Sequence, residues 1–199
     1  MTIKLPKGWC DLTIPLKQGM PYLVLDPVPP KIYRYSDVAL GSKVTMSMLE
    51  IISHTGTHID SPLHFIPEGS TISDMDVTAT IGPCRVIEIK DKKTINSPTW
   101  YTSEKFFEDY VYLDGDAAEY LGKIGIRLFG IDALTIGYYK DNDNINRSHL
   151  ALLSNGCYVL EGLAMGGVPA GDYELLCLPL LMYNGDAGPS RVILRPLAK

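Results

Sequence analysis

Apolar positions along the chain fall mostly into short runs rich in Val, Ile, Leu and Tyr, bounded by Gly, Pro, Asn or Asp. That is how half-buried and buried strands read. The runs place strands at Trp9–Leu16, Lys43–Ile52, Cys84–Lys90, Tyr110–Leu113, Ile126–Asp132, Cys157–Leu160, Glu174–Leu180 and Arg191–Leu194. Helical signals are fewer. Asp114 or Asp116 can cap a helix over Ala117–Lys123 that stops at Gly125. Asn146 or Ser148 can open a second helix through Ser154, with Gly156 where a left-handed terminating residue belongs. A weaker third covers Ser103–Asp109. Eight strands against three helices predict an α/β fold, a curved, barrel-like mixed sheet with a few flanking helices, formed by residues 1–199 as one domain. Pro21, Pro27, Pro29 and Pro30 make the segment between them a surface loop, where binding groups commonly sit.

Composition narrows the function classes. With 46% apolar and 21% charged residues the chain reads as an ordinary globular protein. A net charge of −5 and no block of Lys or Arg argue against a nucleic-acid or anionic-membrane partner. The first residues lack a charged segment followed by an apolar core, and the apolar stretch Leu175 to Tyr183 is half a membrane span interrupted by Pro179, so a cytoplasmic location is expected. Cys10, Cys84, Cys157 and Cys177 form no C-x-x-C pair, which argues against a thiolate metal site.

The candidate chemistry is concentrated. Of four histidines, three fall in the run His54-Thr55-Gly56-Thr57-His58-Ile59-Asp60-Ser61-Pro62-Leu63-His64. Positions 54, 58, 60 and 64 share one parity, so an extended chain would present all four side chains on one face, continuing that of Val44, Met46 and Met48. A straight strand would hold His54 and His58 about 13 Å apart, too far for one ion. Gly56 can bend the strand and Pro62 can turn it, bringing two imidazoles and a carboxylate together. Such ligands suit Zn, Mn or Fe in the divalent state and leave positions open for water. His149 sits early in the second predicted helix, where a non-ligating histidine is the commoner case. Glu161 ends an apolar run, as a metal ligand or an exposed strand-end residue.

The run closely resembles the signature of the cyclase-like metal hydrolases, His-x-Gly-Thr-His-x-Asp-x-Pro-x-His, which include bacterial kynurenine formamidases and isatin hydrolases. The resemblance continues through Phe65, Gly69, Ile81-Gly82-Pro83, Gly130-Ile131-Asp132, Glu161-Gly162-Leu163, Val168-Pro169-Ala170-Gly171, Leu178-Pro179-Leu180 and Gly185-Asp186-Ala187-Gly188-Pro189-Ser190-Arg191. It implies the swivelling β/β/α fold and two divalent metals per chain, zinc or manganese. His54, His58 and Asp60 would hold the first, and Asp60 would bridge to a second completed by His149 and Glu161. It further implies that His64 moves protons rather than binding metal, and that the chain forms homodimers or homotetramers whose subunits help line one another's pockets. One element departs from the pattern. After Gly19-Met20-Pro21, Leu23 stands where the formamidases present a tryptophan to the substrate ring. The hydrolytic residues are thus intact while aryl recognition is altered.

The leading reading is hydrolysis of a small amide or ester (formamide, lactam or lactone) by metal-bound hydroxide, with His64 taking and returning the proton. A mononuclear iron oxygenase using His58, Asp60 and His149 would leave His54 and His64 without a role. A non-catalytic metal-binding module would not need the open ligand set. Asp132 and Asp186 are candidates to support the site from behind, beside ordinary turn or capping roles. There is no G-x-S-x-G elbow, P-loop or G-x-G-x-x-G.

Overall fold

The computed structural model describes residues 4–23, 25–89 and 110–197. In chain order the elements are β1 Cys10–Asp11, β2 Lys31–Ser36, β3 Met46–Glu50, β4 His58–Asp60, β5 Ile81–Val86, α1 Gly115–Lys123, β6 Leu128–Gly130, α2 Asn142–Leu153, β7 Tyr158–Glu161, β8 Gly171–Pro179 and β9 Ala187–Pro196. Seven strands form one sheet in the order β5-β8-β9-β4-β7-β6, with β1 added against β9. All pairs are antiparallel except β6 with β7. The sheet curls into half a barrel, as the strand pattern predicted.

Strand β9 does two jobs along its ten residues. Its first three, Ala187–Pro189, pair with β4, and Ser190–Pro196 pair with β8. The core fills the curl with Leu12, Ile59, Leu160, Leu175, Cys177, Val192 and Leu194, all buried. A second cluster, Ala118, Ile136, Leu152, Leu153, Cys157 and Val159, packs the two helices against β7. Both helices open on an Asp cap. The Asp114 side chain accepts from the Asp116 amide, and Asp141 accepts from Asp143 and Asn144.

Several elements differ from their predicted bounds. The second helix starts four residues before Asn146, because Asp141 is the cap that satisfies its first amides. Tyr110–Leu113 is not a strand. Of Trp9–Leu16 only Cys10–Asp11 is one, followed by a lone bridge from Thr13 to Leu163. Strand β2 falls in a stretch not predicted as a strand and pairs with β3 as a separate two-stranded ribbon. Lys43–Ile52 shortens to Met46–Glu50 in that ribbon, and Cys84–Lys90 shifts to Ile81–Val86. The helix predicted at Ser103–Asp109 lies outside the described residues. The four cysteines are free thiols, and among the described residues no helix is long and apolar enough to cross a membrane.

Candidate metal centre

The backbone brings the donors together. In β4, His58 stands directly opposite Glu161 of β7, and Asp60, two residues on, leaves the same face. Helix α2 runs back against β7, so His149, twelve residues before Glu161, points its ring at the same place. Its Nε2 lies 3.2 Å from Glu161 Oε1 and 3.9 Å from Asp60 Oδ2. His54 comes from the loop before β4, with Nδ1 2.9 Å from Asp60 Oδ1. His64 ends a short 3-10 turn opened by Pro62, its ring centroid 4.0 Å from that of His54. All six sequence-predicted residues therefore converge.

The route is not the single bent strand that parity suggested. Val44, Met46 and Met48 lie exposed in or beside the β2–β3 ribbon, and only His58–Asp60 of the signature is strand. The predicted bend at Gly56 is there, with φ at +71°. A second glycine makes it workable. A Cβ on Gly162 would stand 2.3 Å from the Gly56 carbonyl oxygen, so the two chains cross at a distance no other residue allows. Thr57 locks the crossing. Its hydroxyl donates to Gly162 O at 2.5 Å and accepts from Ile14 N at 2.9 Å, while its carbonyl accepts from Ser190 N at 2.8 Å.

The tautomers follow from the backbone. His58 Nδ1 is 3.0 Å from Gly56 O, and His149 Nδ1 is 2.7 Å from Ile145 O. A carbonyl can only accept, so each Nδ1 carries a hydrogen and each Nε2 is the nitrogen that faces the cluster and is free to ligate once deprotonated. Glu161 is held by Ile136 N, which donates to Oε1 at 2.6 Å.

His58, Asp60, His149 and Glu161 are each less than 5% exposed. Burial works against charge on all of them. Pairing with the carboxylates nonetheless raises His58 and His149, while the imidazoles hold Asp60 and Glu161 below the usual carboxylate range. For His54, burial opposes the charge but the hydrogen bond with Asp186 and the close Asp60 carboxylate lift its pKa to about 9. Burial pushes His64 down to about 4, leaving it neutral.

The arrangement fits a divalent cation. His58 Nε2 and both Asp60 carboxylate oxygens are buried without a properly directed hydrogen bond, although Asp60 Oδ1 lies 2.9 Å from His54 Nδ1 and 3.3 Å from His58 Nε2. Donor atoms this close, yet not aimed at one another, suit a shared ion rather than a hydrogen-bond network. Among the described residues two groups have donors within 4.8 Å, His54–Asp60–His64 and His58–Asp60–Glu161, and Asp60 belongs to both.

Two supporting positions stand out. Asp186 accepts from His54 Nε2 at 2.8 Å and from the Ser53 hydroxyl at 2.9 Å, a contact that its type and sequence position hinted at without specifying. Ser53 carried no signal in the sequence. Asp132 is half-buried and belongs to neither converging group. Leu23 packs against the buried cluster of Ile14, Met20, Ala133 and Leu134, as does Tyr110.

A curled mixed sheet thus carries, on and beside its central strands, a buried imidazole–carboxylate cluster that can hold a metal ion. A family model described as "Putative cyclase" matches residues 10–106. The kynurenine formamidase of Geobacillus thermodenitrificans is 33% identical over 95% of this chain and 98% of its own. The solved structure of a "Potential Metal-Dependent Hydrolase With Cyclase Activity" is 30% identical, with a TM-score of 0.74 over 96% of this chain and 98% of that one. An isatin hydrolase bound to thioisatinate shares the fold, with a TM-score of 0.80 at 21% identity over 95% and 92% of the two chains. The chain belongs to the cyclase family.

Proposed function

We propose that this protein hydrolyses the carbon–nitrogen bond of a small amide, in the manner of an arylformamidase, with esters and lactones as related substrates. The observation that carries this is the Asp60 carboxylate, fully buried among His54, His58, His149 and Glu161 with neither oxygen satisfied. His54, His58 and Asp60 would hold one divalent ion, zinc or manganese, and Asp60, His149 and Glu161 a second. A divalent ion bound there lowers the pKa of its water from 15.7 to about 7 and polarises the substrate carbonyl.

The remaining work falls to the chain. Gly56 O and Ile145 O fix the tautomers of His58 and His149, and Asp186 does so for His54. His64 is half-buried and neutral, so it can take a proton at the attacking water and return it to the leaving nitrogen. A mononuclear iron triad of His58, Asp60 and His149 is not favoured, because His54 and Glu161 crowd the same point. Metal analysis after purification without chelator, combined with turnover of formamides, lactams and lactones, tests the reading. A metal-free and inactive protein under those conditions would overturn it.

The β2–β3 ribbon supports a homodimer or homotetramer. It is a two-stranded sheet, marginal by itself, with Tyr33, Tyr35, Met46, Met48 and Leu49 exposed. Light scattering is expected to give a mass of two or four chains.

A further inference from the structure

Asp186 does more than pair with His54. Its backbone carbonyl accepts two hydrogen bonds from Ser61, from the amide and the hydroxyl, both at 2.9 Å. Ser61 directly follows Asp60, so the strand that carries the shared carboxylate also pins Asp186. The next residue, Ala187, pairs with Asp60 itself. The side chain is fixed as firmly. Oδ1 accepts from Ser53 Oγ at 2.9 Å, which turns Oδ2 toward the two adjacent rings. Oδ2 lies 2.8 Å from His54 Nε2 and 3.8 Å from His64 Nδ1.

We infer that Asp186 is a positioning residue that sets the orientation of both His54 and His64. By accepting from His54 Nε2–H it commits that ring to the tautomer whose Nδ1 lone pair faces Asp60, the opposite ring nitrogen from the one that His58 and His149 present. A backbone carbonyl fixes those two rings. Among the described residues no carbonyl does this for His54, and the carboxylate takes its place. The same oxygen, on the Nδ1 side of His64, favours a hydrogen there and leaves Nε2 for proton transfer. A single carboxylate thereby ties the geometry of the metal ligand to that of the proton-moving histidine. The inference rests on the metal-hydrolase reading above.

The test measures cobalt(II) binding to the full chain by competition with a chromophoric chelator, together with the visible absorption of the bound cobalt. Asp186→Ala is expected to weaken cobalt binding about 10–100-fold, the usual worth of a residue that orients a metal-bound histidine, and to shift the absorption bands. Asp186→Asn keeps an acceptor oxygen and is expected to lose less. Ser53→Ala, which frees the carboxylate to rotate, is expected to lose affinity in the same direction by a smaller factor. At saturating metal, Asp186→Ala is expected to lower kcat with KM little changed. If Asp186→Ala fails to fold by circular dichroism, the Asn and Ser53 variants carry the comparison. Wild-type affinity and spectrum in the folded variants would overturn the inference while leaving the hydrolase reading intact. A wild-type chain that binds no cobalt would overturn both.

Discussion

His58 and Glu161 face each other across the β4–β7 pair, with His58 Nε2 3.3 Å from Glu161 Oε2 and both side chains nearly dry. Two ionisable groups are costly in such a place unless they are paired with each other or with an ion. The same strand register puts Asp60 beside them. Five donors are more than one open catalytic zinc takes. Elemental analysis of well-loaded protein is therefore expected to give two ions per chain, falling to one or none in Glu161→Gln. One ion in the wild type, unaffected by Glu161→Gln, would remove Glu161 from the centre.

Metal uptake is expected to release protons. In the metal-free chain the carboxylates on both sides of His54 lift its pKa to about 9, so at pH 8 the ring is protonated and an incoming ion must displace a proton. Calorimetry in buffers of different ionisation enthalpy should show this release, with affinity rising from pH 7 to 9. The sign for stability is the reverse. A folded pKa raised above 6.5 gives stabilisation that is complete below 6.5 and lost as pH climbs through about 9. The metal-free melting temperature should accordingly fall over that interval, and loaded protein should not follow it.

The roles of the histidines separate by mutation. His58→Ala is expected to lose metal and activity together. His64→Ala should keep the metal and lose roughly 10²–10⁴ in rate, the usual worth of general acid–base catalysis. His64 also has a nitrogen within 4.8 Å of the His54 and Asp60 donors, so the measurement decides between two roles that geometry permits. Loss of metal in His64→Ala equal to that in His58→Ala would make His64 a ligand.

Gly162→Ala should be disproportionately harmful for one methyl group. Gly162 has φ at +68°, which costs other residues about 1–2 kcal/mol. The added carbon would also press on the Gly56 carbonyl that orients His58. A fall of several degrees in melting temperature together with weaker metal binding is expected. Gly8→Ala is the control, since it has a similar φ and nothing within 4 Å of its added carbon.

Substrate preference is expected to turn on Leu23. An aromatic pair contributes about 0.5–1.5 kcal/mol beyond burial, so leucine in place of tryptophan should weaken aryl binding around tenfold. N-formylkynurenine should then be a poorer substrate than non-aromatic formamides or lactams, and Leu23→Trp should improve its kcat/KM. Efficient hydrolysis by the wild type, unimproved by the tryptophan, would place aryl recognition elsewhere. Tyr110, which shares the apolar cluster of Leu23, is one alternative, and a partner subunit's ring is another.

The sequence by itself picked out His54, His58, Asp60 and His64, whereas His149 and Glu161 entered the ligand set only with the family resemblance. Spacing within one strand-and-turn segment is local information, and the types at 54, 58, 60 and 64 leave few other chemistries. Asp114 and Gly56 were equally legible, because a cap and a positive φ are set by a residue and its near neighbours. Tertiary structure decided how the ligands meet. The pairing of β4 with β7 puts His58 opposite Glu161, a relation between residues 103 positions apart that no pattern along the chain encodes. The crossing at Gly56 and Gly162, and the carboxylate of Asp186 against His54, depend on the same long-range register. Strand β2 of the β2–β3 ribbon escaped prediction for a related reason. It is largely exposed on both faces, so no buried face imposes an alternation of apolar and polar residues to read.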